Sequence, residues 1–207
     1  MTAPAVDGLR VVNEAGVLRI TIDRPDRMNA LDLAHMTALG DVLTEAATDS
    51  SVRVVVIAGA GKAFSTGADL AAAAAAGGRE APAEVGLMPD GGSSALIAAS
   101  IGRARATRMA LLGERLPAAQ AERDGLIAGV LPPDELAAHV DAVAARLARG
   151  PRRAIELTKR ALTAATLTAL DASLDREKAG QAELLQAPDF VEGVTAMLTK
   201  RAPSFRS

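Results

Sequence analysis

The chain has 207 residues, of which 49% are hydrophobic, 23% charged and 1% aromatic, and its formal net charge is −2. These values predict a globular protein with its own apolar core, and they exclude the basic surface that nucleic acid or an acidic membrane would need. The absence of cysteine excludes disulfides, thiol nucleophiles and thiolate metal sites. Residues 1–8 lack a signal-peptide pattern and no apolar run is long enough to span a bilayer, so we expect a cytoplasmic protein.

The chain contains two histidines, His35 and His139, which fall on separate predicted helices. Their separation in sequence argues against a histidine-based metal centre and against a Ser-His-Asp triad. We therefore expect neither a metal nor a redox cofactor.

The front half of the chain alternates predicted strands and helices. Two short apolar strands, residues 9–13 and 17–22, are joined by a predicted hairpin turn. Asp32 is a favourable N-cap for the helix that follows, which ends at about residue 47. The aliphatic run over residues 52–58 predicts a strand that is buried on both faces.

The back half is predominantly helical. A short helix is predicted over residues 70–78, a loop over residues 81–92, and residues 127–131 fit a last strand. The remaining elements are predicted helices at residues 93–100, 103–112, 118–124, 134–148, 152–162, 170–185 and 189–200. These helices carry more apolar side chains than one small α/β layer covers, which predicts self-association through Leu174, Leu184, Leu185, Val194 and Met197.

The most informative stretch is the turn FSTGADL at residues 64–70, directly after the aliphatic run. Gly59, Gly61 and Gly67 surround this turn, and Asp69 opens the next segment. A strand that ends in small residues and leads into a helix leaves backbone N–H groups unpaired, and such groups stabilise negative charge developing on a carbonyl oxygen. The alternative is a tight strand-helix turn that binds no ligand.

Several blocks of the chain resemble, in the same order, the crotonase family, also called the enoyl-CoA hydratase/isomerase superfamily. The blocks are VLRITIDRPDRMNAL at 17–31, VVVIAGAGKAFSTGADL at 54–70, VGLMPDGG at 85–92, IGRARATRMALLGERLPAAQAERDGLIAGV at 101–130 and EGVTAMLTKRAPSF at 192–205. Together they cover most of the chain, although any one block alone would be a weak signal.

The resemblance implies an α/β fold, a spiral of ββα units with a helical C-terminal region. It implies a core over residues 1–130, shortened between 70 and 85, and a helical trimerisation region over residues 131–207. The expected partner is an acyl-CoA thioester, whose coenzyme A enters as part of the substrate so that no other cofactor is needed. The expected assembly is a homotrimer or a dimer of trimers.

The resemblance also implies site residues. The N–H of Ala68 would be the first of two donors to the thioester oxyanion. The residues implied to line the acyl-CoA site are Ala63, Ser65, Gly67, Asp69 and Leu70, with Met28 and Ala30 facing the pantetheine or adenine and Lys200 and Phe205 reaching a coenzyme A at a subunit boundary. Three of these have alternative interpretations: Met28 as a core residue, Lys200 as a solvated surface charge and Phe205 as a packing anchor.

The chain departs from the family between residues 71 and 84. The family carries there a strand, a glycine-rich turn with the second oxyanion donor, and a helix with a catalytic glutamate. Three explanations stay open: residues left out of the printed sequence, a natural or engineered deletion, or a short paralogue that kept the fold without the chemistry. Glu84 is the candidate for a surviving catalytic carboxylate, and its alternative is a solvated loop charge.

Two functions follow from these observations. The first is an acyl-CoA enzyme, an enoyl-CoA hydratase or isomerase, in which Ala68 N–H polarises the thioester and a carboxylate moves the proton. The second is a non-catalytic protein of the same fold that binds CoA esters or only assembles. The fold alone does not choose between them, or exclude the family's other reactions.

Overall fold

The computed structural model describes residues 6–69 and 85–205. The short helix predicted over residues 70–78, and the site candidates Leu70 and Glu84, lie outside the described residues. By their contacts the residues group into two units, one of Met1–Gly77 with Pro132–Leu157 and one of Gly78–Leu131 with Thr158–Ser207. The division at residue 130 that the sequence suggests stays a prediction.

The described elements confirm most of the predicted ones. The strands are β1 (Leu9–Glu14), β2 (Val17–Ile22) and β3 (Val54–Gly59), and a 3-10 turn covers Pro25–Arg27. The helices are α1 (Leu33–Thr48), α2 (Ser93–Ile101), α3 (Arg103–Leu112), α4 (Ala118–Arg123), α5 (Pro133–Arg149), α6 (Arg152–Thr166), α7 (Leu170–Leu184) and α8 (Pro188–Leu198). None of the helices within the described ranges has the length and apolar character that a bilayer crossing requires.

The first unit contains a three-stranded sheet in the order β1-β2-β3. Strands β1 and β2 are antiparallel, and the turn between them consists of Ala15 and Gly16, whose φ angles of 49° and 81° are those of a tight hairpin. Strand β3 is parallel to β2, with Leu18 opposite Val55. This register places β3 so that its carboxyl end and that of β2 lie at the same edge of the sheet.

Helix α1 starts where the sequence predicts. Asp32 has extended backbone angles, and its side chain accepts a hydrogen bond of 3.0 Å from His35 N, so it is the N-cap. The helix closes an apolar cluster over the sheet, whose buried members are Leu9, Leu18, Ile20, Ile22, Val42, Ala46 and Val52. This cluster is the core of the first unit.

The prediction that β3 is buried on both faces is wrong. Val55 is 39% exposed and Ile57 is 38% exposed. Both share a sheet face with Leu18 and Ile20, because paired residues point to the same side, yet neither belongs to the buried cluster under α1. Among the described residues β3 pairs with β2 alone, so within them it is an edge strand.

Helix α5 joins the first unit from far along the sequence. It packs against β2 and β3, and Arg19 on β2 forms an ion pair of 2.8 Å with Asp141 on α5. Two arginines connect the same regions by donating to backbone carbonyls. Arg53 Nη2 donates to Gly150 O at 2.7 Å, and Arg152 Nη1 donates to Ser50 O at 2.7 Å. These bonds tie the end of α5 to the chain between α1 and β3.

The second unit is helical, with α7 packed against α2. The strand suggested at residues 127–131 is absent from the described elements, because Leu126 N and Ile127 N both donate to Ala121 O at the end of α4. Val130 N donates to the side chain of Glu122 rather than to a strand partner. Met197 is only 7% exposed within this unit, which corrects the expectation that it needs a partner in another subunit, whereas Leu185 is 52% exposed.

Candidate functional site

The turn after β3 runs beside the loop after β2. Leu31 and Ala68 form an isolated parallel bridge, in which Leu31 N donates to Gly67 O at 2.9 Å and Asp69 N donates to Leu31 O at 2.8 Å. In this pattern the middle residue of the three, Ala68, turns its own N–H and C=O to the side away from Leu31. Ala68 is exposed, and no described residue accepts a hydrogen bond from its N–H.

Asn29 fastens the two loops together. It is completely buried and adopts the left-handed conformation, with φ 59°. Its side-chain oxygen accepts from Arg24 N at 2.8 Å, and its side-chain nitrogen donates to Ala60 O at 2.8 Å and to Ala63 O at 2.6 Å. One neutral side chain thus satisfies backbone groups of both loops, which a buried position requires.

The Ser65 hydroxyl extends this connection towards the turn. It donates to Asn29 O at 2.8 Å and accepts from Gly67 N at 3.1 Å. Gly59 makes room for the same turn, because a Cβ there would collide with the carbonyl oxygens of Ala63 and Phe64. The position therefore accepts only glycine without rearrangement of the backbone.

Asp69 is a buried carboxylate rather than an exposed one. Its side chain is 2% exposed, and Oδ2 lies 3.1 Å from Arg24 Nη2 and 3.3 Å from Arg27 Nη1. Arg24 also donates to Ala30 O and lies 3.7 Å from Asp32. The buried charge is compensated by two guanidinium groups, and the pairs hold the residue after Ala68 against the loop after β2.

Asp32 links this loop to α1. The hydrogen bond with the His35 ring is the largest of several causes that lower the pKa of Asp32 from 3.8 to about 2. His35 Nδ1 lies 2.7 Å from Asp32 Oδ1, and its Nε2 lies 2.9 Å from Asp7 O, so the ring is held on both sides. The N-terminus of α1 is therefore fixed where the site loop ends.

The first unit brings seven of the predicted site residues onto its two neighbouring loops. They are Met28 and Ala30 on the loop after β2, and Ala63, Ser65, Gly67, Ala68 and Asp69 on the turn after β3. Lys200 and Phe205 belong to the second unit, where both are exposed. Within the described ranges no three His, Asp or Glu side chains are grouped closely enough to hold a metal ion.

The second unit contains a different glycine-rich turn, at residues 90–94. The buried carboxylate of Glu177 on α7 accepts from Gly92 N at 2.6 Å and from Ser94 N at 2.9 Å, while Ser93 N donates to Asp90 O at 3.1 Å. Burial raises the pKa of Glu177, but the hydrogen bonds from Ser94 and Gly92 outweigh burial and hold it below its ordinary value. The N–H groups at this helix start are therefore already bound.

Gln181, one turn further along α7, holds the same segment. Its side chain accepts from Met88 N at 3.4 Å and donates to Asp90 Oδ2 at 2.9 Å. The backbone carbonyl of Asp90 accepts from Ser93 N, while its carboxylate accepts from the Gln181 side chain. The side chains of α7 thus hold this turn from outside.

The sequence analysis did not identify Asn29, Arg24 or Glu177. An asparagine beside a turn is a signal for the left-handed conformation, and that signal was available at Asn29. Its partners Ala60 and Ala63 lie 31 and 34 residues away, and those of Glu177 lie 85 and 83 residues away. Local patterns carry no information about such distant pairs.

The chain matches known proteins over nearly its whole length. The family model described as enoyl-CoA hydratase/isomerase matches residues 12–84 and 79–207. A probable enoyl-CoA hydratase of Rhodobacter capsulatus is 34% identical, covering 92% of this chain and 94% of the relative. The 1,2-epoxyphenylacetyl-CoA isomerase of Escherichia coli is 29% identical, covering 93% and 95%. A crystal structure of an enoyl-CoA hydratase from Mycobacterium avium subsp. paratuberculosis superposes with a TM-score of 0.89 at 42% identity, covering 98% of this chain and all of the other.

The comparisons also locate the shortened stretch. The family model matches in two pieces that meet and overlap at residues 79–84. The alignment with the Rhodobacter relative extends over 244 positions, more than the 207 residues of this chain. The relative therefore contains residues that have no counterpart here, and the junction lies in the interior of the chain.

Proposed function

The chain belongs to the enoyl-CoA hydratase/isomerase family and has the crotonase fold, and from this premise we propose that it acts on acyl-CoA thioesters by stabilising an enolate oxyanion with Ala68 N–H. The family resemblance read from the sequence blocks is thereby confirmed. The role of Ala68 and the identity of the base are our proposals.

The observation that carries the proposal is the direction of the Ala68 N–H. It faces away from Leu31 on an exposed turn, and no described residue accepts from it. A fixed backbone N–H directed at the place where negative charge develops contributes about 3 kcal/mol to lowering a barrier. Ligand binding would supply an acceptor for this N–H.

The chemistry requires one polarised carbonyl and at least one base. For isomerisation, a carboxylate removes a proton from the substrate carbon chain, the C=C bond moves through the enolate, and the proton returns at the other end of the system. For hydration, water adds at the β-carbon and a proton is delivered to the α-carbon. Neither reaction changes the oxidation level of the acyl-CoA as a whole, so neither consumes a redox cofactor. We propose Glu84 as the base.

The remaining expectations belong to the same proposal. Met28 and Ala30, on the loop that Asn29 fastens to the turn, are proposed to contact the pantetheine or adenine. Lys200 and Phe205 are proposed to contact coenzyme A in a homotrimer or dimer of trimers located in the cytoplasm. Exposed leucines in the helical part support an assembly, with Leu111 68%, Leu162 62% and Leu185 52% exposed.

A non-catalytic CoA-ester-binding protein is the second candidate, and a specific observation favours it. The chain lacks residues that its relatives have at the junction near residues 79–84. The glycine-rich turn at residues 90–94 offers no replacement donor at Gly92, Ser93 or Ser94, because those N–H groups are bound within the second unit.

The deciding experiment begins with the intact mass. A mass near 21.1 kDa shows that the printed sequence is the whole chain, and a mass several kDa higher shows that residues were left out. Turnover of a short enoyl-CoA is then followed in the wild type, in Glu84→Gln and in the neighbouring control Glu80→Gln. Loss of a proton-transfer carboxylate lowers the rate by about 100-fold or more, so Glu84→Gln should fall by that factor while Glu80→Gln keeps wild-type turnover.

Three results bear against the proposal as stated. Equal turnover in both glutamine variants excludes Glu84 as the base. A wild type that binds acyl-CoA without converting it supports the non-catalytic candidate. A wild type that neither binds nor converts an acyl-CoA overturns the proposed function.

A further inference from the structure

We propose that Asn29 and Ser65 are positioning residues that together set the direction of the Ala68 N–H. The inference rests on the proposed function, because it assigns these two side chains a task only if that N–H binds an oxyanion. It differs from the role as pocket lining that the sequence suggested for Ser65.

The direction of the Ala68 N–H is fixed by the peptide plane that it shares with Gly67. In a trans peptide the C=O of one residue and the N–H of the next point in opposite directions within one plane. Gly67 O accepts from Leu31 N at 2.9 Å, so the Ala68 N–H points away from Leu31. Whatever holds Gly67 and Leu31 relative to each other therefore directs the donor.

Ser65 holds the Gly67 side of this arrangement. Its hydroxyl accepts from Gly67 N at 3.1 Å and donates to Asn29 O at 2.8 Å. Gly67 has φ 89°, and glycine adopts positive φ angles about as readily as negative ones, so its backbone is not fixed by sterics alone. The hydrogen bond on its N–H holds the preceding peptide plane, shared with Thr66, and the Gly67–Ala68 plane is set relative to it by the φ and ψ angles of Gly67.

Asn29 holds the other side. It lies two residues before Leu31, and both protons of its amide are used on Ala60 O and Ala63 O, at 2.8 and 2.6 Å. Because the amide group is planar, two donor bonds and the accepted bond from Arg24 N leave it no freedom to rotate. The loop that carries Leu31 is thereby fixed to the chain that carries Gly67.

Such positioning affects the charged state of a ligand more than the neutral one. A hydrogen bond weakens steeply as its angle departs from linearity, and the loss is larger when the acceptor bears full negative charge. A tilted Ala68 N–H would still allow a thioester to bind, but it would stabilise the enolate less.

The experiment uses acetoacetyl-CoA, whose enolate absorbs in the near ultraviolet, and needs no catalytic carboxylate. The bound enolate fraction is measured against pH for the wild type, Ser65→Ala, Ser65→Thr, Asn29→Asp and the control Ser51→Ala. Ser51 is an exposed serine whose hydroxyl accepts a side-chain hydrogen bond from Asn13. We expect about a tenfold lower enolate fraction at fixed pH in Ser65→Ala, recovery in Ser65→Thr and no change in Ser51→Ala.

A neutral saturated acyl-CoA provides the second readout. If Ser65 had only a structural role, Ser65→Ala would weaken binding of this neutral ligand as much as it weakens binding of the enolate. The dissociation constant of the neutral acyl-CoA should move less than about twofold in Ser65→Ala, because that ligand develops no oxyanion. Asn29→Asp should lower the enolate fraction further, since a carboxylate cannot donate to Ala60 O and Ala63 O. Ser65→Ala changes a half-buried side chain and keeps the proposal testable if Asn29→Asp does not fold.

The outcomes separate this inference from the proposed function. No enolate signal in the wild type overturns the proposed function and this inference with it. A wild-type signal that Ser65→Ala leaves unchanged, or a loss of affinity that is equal for the neutral acyl-CoA and the enolate, overturns this inference alone.

Discussion

Two glycine-containing turns of this chain use their backbone N–H groups in opposite ways. The turn after β3, around Gly67, is held by the neutral side chains of Asn29 and Ser65, and it leaves the Ala68 N–H facing outward. The turn at residues 90–94 is held by the carboxylate of Glu177, which takes up backbone N–H groups itself.

The difference shows that a glycine-rich turn does not by itself leave its backbone N–H groups available to a ligand. What matters is which group fastens the turn. The amide of Asn29 and the hydroxyl of Ser65 bind three carbonyl oxygens and the N–H groups of Arg24 and Gly67, and they leave the N–H of Ala68 unused. The charge of Asp69 beside this turn is compensated by Arg24 and Arg27. A carboxylate fixes the backbone equally well but consumes the N–H groups that a ligand would need.

The largest effect is expected from Glu177→Gln. The variant removes the charge and places an amide NH2 against one of the two backbone donors, Gly92 N or Ser94 N, so the free energy of unfolding should fall by about 3 kcal/mol. Chemical denaturation of this variant and of Glu183→Gln, an exposed position on the same helix, measures the effect. Equal stability of the two variants would show that the carboxylate does not hold the turn.

The pH dependence of the wild type should agree with this result. The folded-state pKa of Glu177 is lowered, so its stabilising contribution is complete above the unfolded-state pKa and is lost as the pH falls through the folded value. Glu177→Gln lacks this titration and should lose less stability on acidification than the wild type.

A smaller effect is expected from Gly193→Ala in α8. A Cβ at this position would lie 2.6 Å from the Cα and the carbonyl carbon of Val85, which begins the segment leading to the second turn. Backbone atoms move little, so overpacking should cost about 2 kcal/mol. The matched control is Gly40→Ala in α1, where no atom lies within 4 Å of the new Cβ and a gain of about 0.5–1 kcal/mol is expected. The two unfolding temperatures are measured by thermal denaturation. If both variants shift the unfolding temperature in the same direction, the expected difference between the two helices is contradicted.

The smallest effect is expected at Asp32, the N-cap beside the first turn. Its folded-state pKa of about 2 lies below its ordinary 3.8, so the ionised group stabilises the fold above about pH 4 and this contribution disappears as the pH falls towards 2. Asp32→Asn keeps a capping oxygen but does not titrate. Its unfolding temperature should lie below that of the wild type at pH 5 and approach it near pH 2.

Asp41→Asn, an exposed substitution on the same helix, is the control for this pH series. If Asp32→Asn and Asp41→Asn follow the same profile, the His35 contact does not stabilise the charged cap.

Local signals in the sequence predict the elements well. Asp32 predicts the start of α1 because an N-cap carboxylate binds backbone N–H groups of the first helical turn, which are close in sequence. The β1–β2 hairpin is predicted by Ala15-Gly16 between two apolar runs. The turn around Ala68 was also predicted from its small residues. The family-specific blocks then supplied the fold, which composition and periodicity alone would not have determined.

Long-range contacts explain the failures. The aliphatic run at residues 52–58 forms a strand buried on both faces only if other elements pack on both faces of the sheet. Whether they do depends on parts of the chain that are distant in sequence. At residues 127–131 the backbone bonds back to Ala121 and Glu122, and this outcome outweighs a favourable β-propensity. Asn29 and Glu177 act across 31 to 85 residues, which no local pattern encodes.

The long-range hydrogen bonds donated by Arg53 and Arg152 have a consequence for folding during translation. Their bonds to Gly150 and Ser50 span 97 and 102 residues, and α5 enters the first unit only after the first part of the second unit has been made. On the ribosome, β1, β2, β3 and α1 therefore emerge without the helix that packs on β2 and β3. During that interval Arg19 lacks its ion-pair partner, and the surface of β2 and β3 that α5 contacts stays open to solvent until α5 has left the exit tunnel.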